Sequence, residues 1–235
     1  MASRVTAESS SGAAGLAAGS LVVWTLVPFG EAQRLFPALD LGLVIALAGL
    51  FGLALTLLVA AATHGPRRLV TPRLEAATLW SACGLALLSA AAAVAASSQS
   101  LNLERIVLTQ RHTSLFVLTQ PAAASIYFVA LALAGQRPVL AAALGPPSRT
   151  RLVAEFATLT ALGAVGGTLF LGGFAGATLP GPIWVLLKTL VVCALLVLAR
   201  RRFAGLTPAT RLAIAWVASL LGAFNLAITL ALLAT

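Results

Sequence analysis

The sequence predicts an all-α fold: a polytopic membrane helix bundle with seven transmembrane helices, a cytoplasmic N-terminus and an external C-terminus. Seven stretches are apolar over about 17–23 residues, the length that a helix needs to cross a hydrocarbon core of roughly 30 Å. The composition agrees, because 60% of the residues are hydrophobic, 9% are charged and the mean hydropathy is +1.02. The positive charges fall mostly in alternate loops, which indicates a fixed orientation in the bilayer.

The predicted spans leave no room for a soluble domain beside them. Backbone polar groups in lipid have to be paired within their own segment, so each span is expected to be a helix. Residues 1–12 are expected to form a mobile cytoplasmic tail, and residues 13–235 a single transmembrane domain. The spans are Ala13–Phe29, Leu41–Thr63, Ala76–Ala96, Ser114–Ala134, Leu152–Phe174, Ile183–Ala199 and Leu212–Ala234.

The orientation follows from the arginines. The tail and the loops after spans two, four and six hold eleven of them, whereas the opposite face holds only Arg34, Arg105 and Arg111. By the positive-inside rule the richer face is cytoplasmic. The net charge of +9 is therefore explained by orientation and by attraction to anionic headgroups, and we expect the bilayer as a partner and no nucleic acid. The eleven are Arg4, Arg67, Arg68, Arg73, Arg137, Arg149, Arg151, Arg200, Arg201, Arg202 and Arg211.

Several kinds of cofactor site are excluded by spacing. Cys83 and Cys193 lie in separate apolar spans, where we expect them to pack as small hydrophobes. His64 and His112 fall in loops on opposite faces and cannot jointly bind one haem. A phosphate-binding Gly-rich loop with a following lysine does not occur. We therefore expect that this chain holds no metal and no redox cofactor of its own.

Charged residues inside the spans are the candidate functional groups, because burying them in lipid is costly. Glu155 begins the fifth span, with Arg151 one turn earlier on the same helical face. The pair is either an interfacial ion pair that reaches toward water or a carboxylate on a proton or quinone path. Lys188 enters the sixth span from the opposite side, so it should lie on the order of 17 Å from Glu155 and form no salt bridge with it.

Other polar and small residues favour structural roles. Asp40 is placed to cap the second span, and Gln120-Pro121 predicts a kink in the fourth. Asn225 is expected to hydrogen-bond a neighbouring helix. Two glycine pairs, Gly15 with Gly19 and Gly163 with Gly167, predict close helix packing.

A series of short motifs resembles the quinone-site membrane subunit of bacterial NADH:quinone oxidoreductase (complex I), the counterpart of mitochondrial NADH dehydrogenase subunit 1. The fifth span is the most specific, with Val153-Ala154-Glu155-Phe156-Ala157 at its start and Thr168-Leu169-Phe170-Leu171-Gly172-Gly173-Phe174 at its end. The other matches follow in the family's order. They are Leu26-Val27-Pro28-Phe29-Gly30, Leu39-Asp40-Leu41-Gly42-Leu43, Gln120-Pro121 with Ala130-Leu131-Ala132, Trp184 with Leu187-Lys188-Thr189-Leu190, and Arg211-Leu212 with Trp216 and Asn225-Leu226.

The resemblance implies a membrane subunit that joins the peripheral iron–sulfur arm to other membrane subunits, in the inner (plasma) membrane of a bacterium. It implies participation in quinone reduction coupled to proton translocation, with Glu155, Asp40, Lys188 and Arg151 as candidates for the proton or quinone path. Two departures count against quinone chemistry at this subunit. The chain lacks the family's first helix, and the loop Gly135–Arg151 has no Asp or Glu where the family has several carboxylates.

Three alternatives stay open on the sequence. The chain could be the equivalent membrane subunit of a membrane-bound hydrogenase or formate hydrogenlyase, whose membrane arms are related. It could be a stand-alone transporter, although that class predicts internal repeats and broken helices around a midplane site. It could also be a structural subunit that has lost coupling, which the missing carboxylates favour.

Overall fold

The computed structural model describes residues 2–30, 70–136, 148–176 and 178–234, together with Leu47 and Gly52. Every regular element in these ranges is a helix, which confirms the all-α fold. In chain order the helices are α1 (Ala2–Leu26), α2 (Val70–Ser98), α3 (Leu103–His112), α4 (Phe116–Thr119), α5 (Pro121–Ala134), α6 (Arg149–Leu171), α7 (Gly181–Phe203) and α8 (Pro208–Leu233).

Side-chain caps define several helix ends. The side chains of Asn102, Ser148 and Thr207 accept hydrogen bonds from the first backbone N–H groups of α3, α6 and α8. These caps satisfy donors that have no partner inside the helix. The last turn of α6 ends at Gly172, whose φ of 73° lies in the left-handed region that favours glycine.

Four helices are long and apolar enough to cross a membrane: the α2 segment Arg73–Ser98, α6, α7 and α8. Two shorter apolar helices, Ala13–Leu26 and Pro121–Ala134, correspond to the predicted first and fourth spans. The predicted span Leu41–Thr63 lies outside the described residues. A membrane protein is therefore supported within the described ranges, while the number of seven crossings and their orientation stay predictions.

The fourth predicted span is interrupted at the expected position. Gln120, with φ −130° and ψ 59°, separates the short α4 from α5, and Pro121 is the first residue of α5. Proline has no N–H to donate and its φ is fixed, so it begins a helix more readily than it continues one. The Gln120 amide nitrogen donates to the carbonyl of Ala93 on α2 over 3.3 Å. The predicted kink is confirmed.

Helix α1 begins at Ala2. The boundary placed at residue 12 therefore does not coincide with a change in secondary structure, because the Ser-rich segment continues the first helix toward the N-terminus. The mobility expected of this tail and the single transmembrane domain after it stay predictions.

Helix α6 lies against several neighbours. Ser20 of α1 and Thr158 of α6 share a hydrogen bond of 3.1 Å, and the hydroxyl of Tyr127 on α5 donates to the Leu162 carbonyl of α6 over 2.8 Å. A Cβ at Gly163 would lie 3.0 Å from the Cys193 sulfur of α7. The predicted close packing at the pair Gly163 and Gly167 is therefore confirmed between α6 and α7.

Two expectations about packing are wrong. A Cβ at Gly15 would meet nothing within 4 Å, so this glycine mediates no close helix approach among the described residues. The amide nitrogen of Asn225 is buried without a hydrogen-bond partner in the described part of the chain, so it does not donate to a described neighbouring helix. Both errors arise because sequence spacing identifies a helix face and not the element that the face meets.

Candidate functional site at the basic end of the bundle

The described helices share a common end at which α2, α6 and α8 begin and α5 and α7 finish, and we call it the basic end. Ser219 of α8 donates to the Ala82 carbonyl of α2 over 2.7 Å, and Gln136, just after α5, donates to the Arg200 carbonyl of α7 over 3.3 Å. The basic end carries Arg73, Arg149, Arg151, Arg200, Arg201, Arg202 and Arg211. Arg105 and Arg111, on α3, lie at the opposite end.

The predicted pair at the start of α6 is formed. The Arg151 Nε donates to the Glu155 Oε1 over 2.8 Å, and the two side chains are only 10% and 15% exposed. Residues four apart lie on one face of a helix, so the sequence alone brings them together. Because both groups are mostly removed from water, the pair compensates charges that would otherwise be costly to bury.

Glu155 lines a small cleft between four helices. The cleft encloses about 290 Å³ of empty space, and its other polar lining comes from Thr158 and Arg200. Its apolar lining is contributed by α2, α5 and α6, from Trp80, Leu131, Ala134, Leu159 and Leu162. A carboxylate from α6 and a guanidinium from α7 therefore face the same apolar space.

The structure also identifies how Arg200 is held beside this cleft. A Cβ added to Gly135 would lie 3.5 Å from the Arg200 Nε, so the arginine side chain passes directly over the glycine. Gln136 is buried and donates to the carbonyls of Ala132 and Arg200 over 3.0 and 3.3 Å. These contacts join the end of α5 to the end of α7, and sequence reasoning did not single out Gln136.

The cleft has less room than typical ligand pockets of about 300–1,000 Å³. Its volume of about 290 Å³ includes space open to solvent, so the residues that line it do not fit a quinone ring with its tail. We therefore derive no quinone step at this cleft, in line with the missing carboxylates of the loop Gly135–Arg151.

Lys188 lies near the opposite end of α7. Its Nζ donates to the Ala175 carbonyl over 2.6 Å and lies 5.3 Å from the centre of the Trp184 ring. The accepting carbonyl belongs to the turn after α6, which begins with Gly172 and Gly173 at φ 73° and 43°. The ammonium group thus lies beside the C-terminus of α6, where a positive charge is favourable to the helix dipole.

Glu155 and Lys188 do not meet. A Cβ at Gly167 would lie 3.6 Å from the Lys188 Cβ, and Gly167 is twelve residues after Glu155 on α6. At 1.5 Å per residue this is about 18 Å, which agrees with the predicted separation. Asp40, the remaining candidate, lies outside the described residues.

Two further buried groups were missed on the sequence. Gln110 of α3 donates to the Thr168 carbonyl over 2.9 Å and accepts from the Phe116 backbone N–H over 3.2 Å, which ties α3 to α6 and α4. Tyr127 is fully buried beside Phe128 and Phe170, with ring centres 5.7 and 5.4 Å away. A polar residue on the apolar face of the amphipathic α3 is the signal that would have pointed to Gln110.

No family model matches the chain, and a search of curated proteins finds no match.

Proposed function

We propose that this chain is the membrane subunit of a complex I-like respiratory oxidoreductase. In this role it anchors the peripheral iron–sulfur arm to the proton-translocating membrane arm, in the plasma membrane of a bacterium. Quinone reduction and proton translocation are then activities of the assembly. The chain contributes docking surface and charged groups, and it has no complete active site of its own.

The position of Glu155 is the observation that carries this proposal. The motif that most resembles the family begins with an acid at the start of a span, and here that acid lines a cleft between α2, α5, α6 and α7. An acid with only structural use would more simply point to water from an exposed turn, as the exposed Glu75 does at the start of α2. A carboxylate at a helix junction is sensitive to how those helices pack, as a coupling subunit requires.

The chemistry available to Glu155 is proton binding. Its pairing with Arg151 at 2.8 Å favours the ionised form. Protonation would remove the attraction between the two groups and free the Arg151 guanidinium to seek another acceptor. A conformational change in a neighbouring subunit that separates the pair would favour proton uptake at Glu155.

Co-purification tests the proposal directly. We expect the full chain, extracted in a mild detergent, to travel with iron–sulfur subunits and with NADH- and flavin-binding subunits. Hydrogenase large and small subunits in their place would support the hydrogenase or formate hydrogenlyase alternative. A stable solitary monomer or dimer would contradict the proposal and favour a transporter.

A substitution of the acid separates a coupling role from a structural one. In the intact complex, Glu155→Gln should lower proton-coupled turnover, on the order of a hundredfold where the carboxylate itself transfers the proton. The matched control is Glu75→Gln, which removes an exposed carboxylate at the same end of the bundle and should leave turnover unchanged. Equal turnover in the two variants would favour a structural subunit that has lost coupling.

A further inference from the structure

The C-terminal third of the chain has positive charges and no negative side chains. After Glu155 there is no Asp or Glu, whereas Lys188, Arg200, Arg201, Arg202 and Arg211 all follow it. Four of these five residues lie at the basic end, around the turn that joins α7 to α8. The segment therefore contains no acidic side chain that could neutralise this cluster.

The turn between α7 and α8 holds the arginines in different ways. Arg200 is half-buried beside the cleft, whereas Arg201 and Arg202 are exposed at the last turn of α7. Arg211 donates from Nη2 to the Ala204 carbonyl over 3.0 Å, which brings its guanidinium to the end of α7. Its Nε is buried without a hydrogen-bond partner among the described residues, so a donor in this turn is unsatisfied there.

An exposed apolar stripe leads along α7 to the exposed arginines. Val191, Leu195 and Leu198 are 47, 52 and 58% exposed, and with Arg202 they follow the spacing of one helix face. The whole α7 span is only 22% buried inside the bundle. A hydrocarbon surface is thus continuous with a cluster of guanidinium groups at the depth where the helix leaves the apolar region.

A ligand that matches this surface combines an anionic group with hydrocarbon chains. Guanidinium groups bind phosphate oxygens through paired hydrogen bonds. Basic residues just outside a transmembrane helix favour anionic over zwitterionic headgroups. An acidic peptide would satisfy the arginines but would leave the stripe of Val191, Leu195 and Leu198 uncovered.

We propose that Arg201 and Arg202, with Arg211 behind them, bind the phosphate of an anionic phospholipid whose acyl chains lie along Leu195 and Leu198. The site lies on the outer face of α7 and is separate from the cleft of Glu155. It requires no partner subunit, so it can be tested on the purified chain whether or not the proposed function holds.

The test measures lipid binding to the full chain in an uncharged detergent by native mass spectrometry. Phosphatidylglycerol should bind at least about tenfold more tightly than phosphatidylcholine, and Arg201→Gln with Arg202→Gln should weaken its binding roughly thirtyfold. The control double variant, Arg105→Gln with Arg111→Gln, removes the same charge at the opposite end and should change the apparent Kd little.

Inorganic phosphate distinguishes a lipid from a soluble anion. It should not displace phosphatidylglycerol from the wild-type chain, because it offers nothing to the apolar stripe. Full displacement by phosphate would overturn the lipid assignment, and so would equal loss of binding in the two double variants. Unchanged lipid binding in the Arg201 and Arg202 variant, with loss of co-purifying subunits, would show that the cluster binds an acidic protein instead.

Single substitutions keep the test interpretable. Arg201 and Arg202 are exposed at a helix end, so their replacement by Gln should leave the thermal unfolding of the detergent-solubilised chain unchanged. Where the double variant does not fold, Arg202→Gln alone and the salt dependence of wild-type binding replace it. Binding of phosphatidylglycerol that does not weaken as the ionic strength rises would contradict the proposal.

Discussion

Arg151 and Glu155 show how a pair of charges is kept inside a largely apolar bundle. Each side chain is mostly buried and the two are 2.8 Å apart, so each compensates the charge of the other where water cannot. Breaking such a pair costs more than the pair contributes relative to apolar residues, because the remaining charge is left in an apolar site.

Removing the arginine should therefore destabilise the protein. We expect Arg151→Gln to lower the free energy of unfolding by about 1–3 kcal/mol, less than a fully buried pair would cost because both side chains keep some solvent contact. Arg149→Gln, two residues earlier and exposed, should have little effect. Thermal unfolding of the two variants in one detergent measures the difference, and equal melting temperatures would show that the pair contributes nothing.

The turn after α6 depends on glycine. Gly173 has φ 43°, and a Cβ there would approach the Val107 Cγ2 of α3 to 2.9 Å. Gly173→Ala should cost about 1–3 kcal/mol, because it adds a left-handed backbone strain to a steric overlap.

Gly15→Ala provides the matched control for this substitution. It adds the same methyl group inside a helix where nothing lies within 4 Å, and helix propensity makes it neutral or slightly stabilising. Thermal unfolding compares the two variants. A Gly173→Ala variant as stable as Gly15→Ala would contradict the geometry of the turn.

At the level of the helices, packing of α6 on α7 is the most specific contact. The Cβ position at Gly163 lies 3.0 Å from the Cys193 sulfur, close to the separation required across a disulfide with an S–S bond of about 2.05 Å. Gly163→Cys should therefore form a disulfide with Cys193 on mild oxidation, seen as a linked peptide pair by mass spectrometry. The same substitution with Cys193→Ser should give no linked pair, and failure of the first variant to cross-link would contradict the α6–α7 interface.

Much of the helical architecture could be predicted from the sequence. Hydropathy located the four described spans, because a membrane helix needs a fixed length of apolar residues. Pro121 located the break between α4 and α5, because proline constrains the backbone whatever surrounds it. The pair at Arg151 and Glu155 was predictable for the same reason, since it depends only on spacing within one helix.

Contacts between distant segments could not be predicted in this way. Neither the acceptor of Lys188 at Ala175 nor the position of Arg200 over Gly135 follows from local spacing. Gln110 joins α3 to Thr168, fifty-eight residues away, and no local pattern encodes that partner. Asn225 shows the converse error, since an amide in a span suggests a partner that its nitrogen does not have among the described residues.

Across the whole molecule, burial separates central from peripheral spans. The most apolar stretches of α2 and α6 are 67% and 61% buried, whereas those of α7 and α8 are 22% and 17% buried. Because lipid is as apolar as leucine, exposed leucines on α7 and α8 carry no penalty in a bilayer. These two helices are therefore the ones available to lipid and to neighbouring subunits.

The two chain ends are expected on opposite sides of the membrane. Helix α1 runs in the same direction as α6, because Ser20 meets Thr158 and the carbonyl of Phe29, just after α1, lies against Gly181 at the start of α7. Its N-terminus is thus at the basic end. Helix α8 begins at that end and finishes at the other.

Reporter fusions at the two ends test the central claim, a membrane bundle whose basic end faces the cytoplasm. A green fluorescent protein fused to the N-terminus should fluoresce, and an alkaline phosphatase fused to the C-terminus should be active, because these reporters work only inside and outside the cell respectively. Fluorescence from both ends, or a chain that stays in solution without detergent, would contradict the claim.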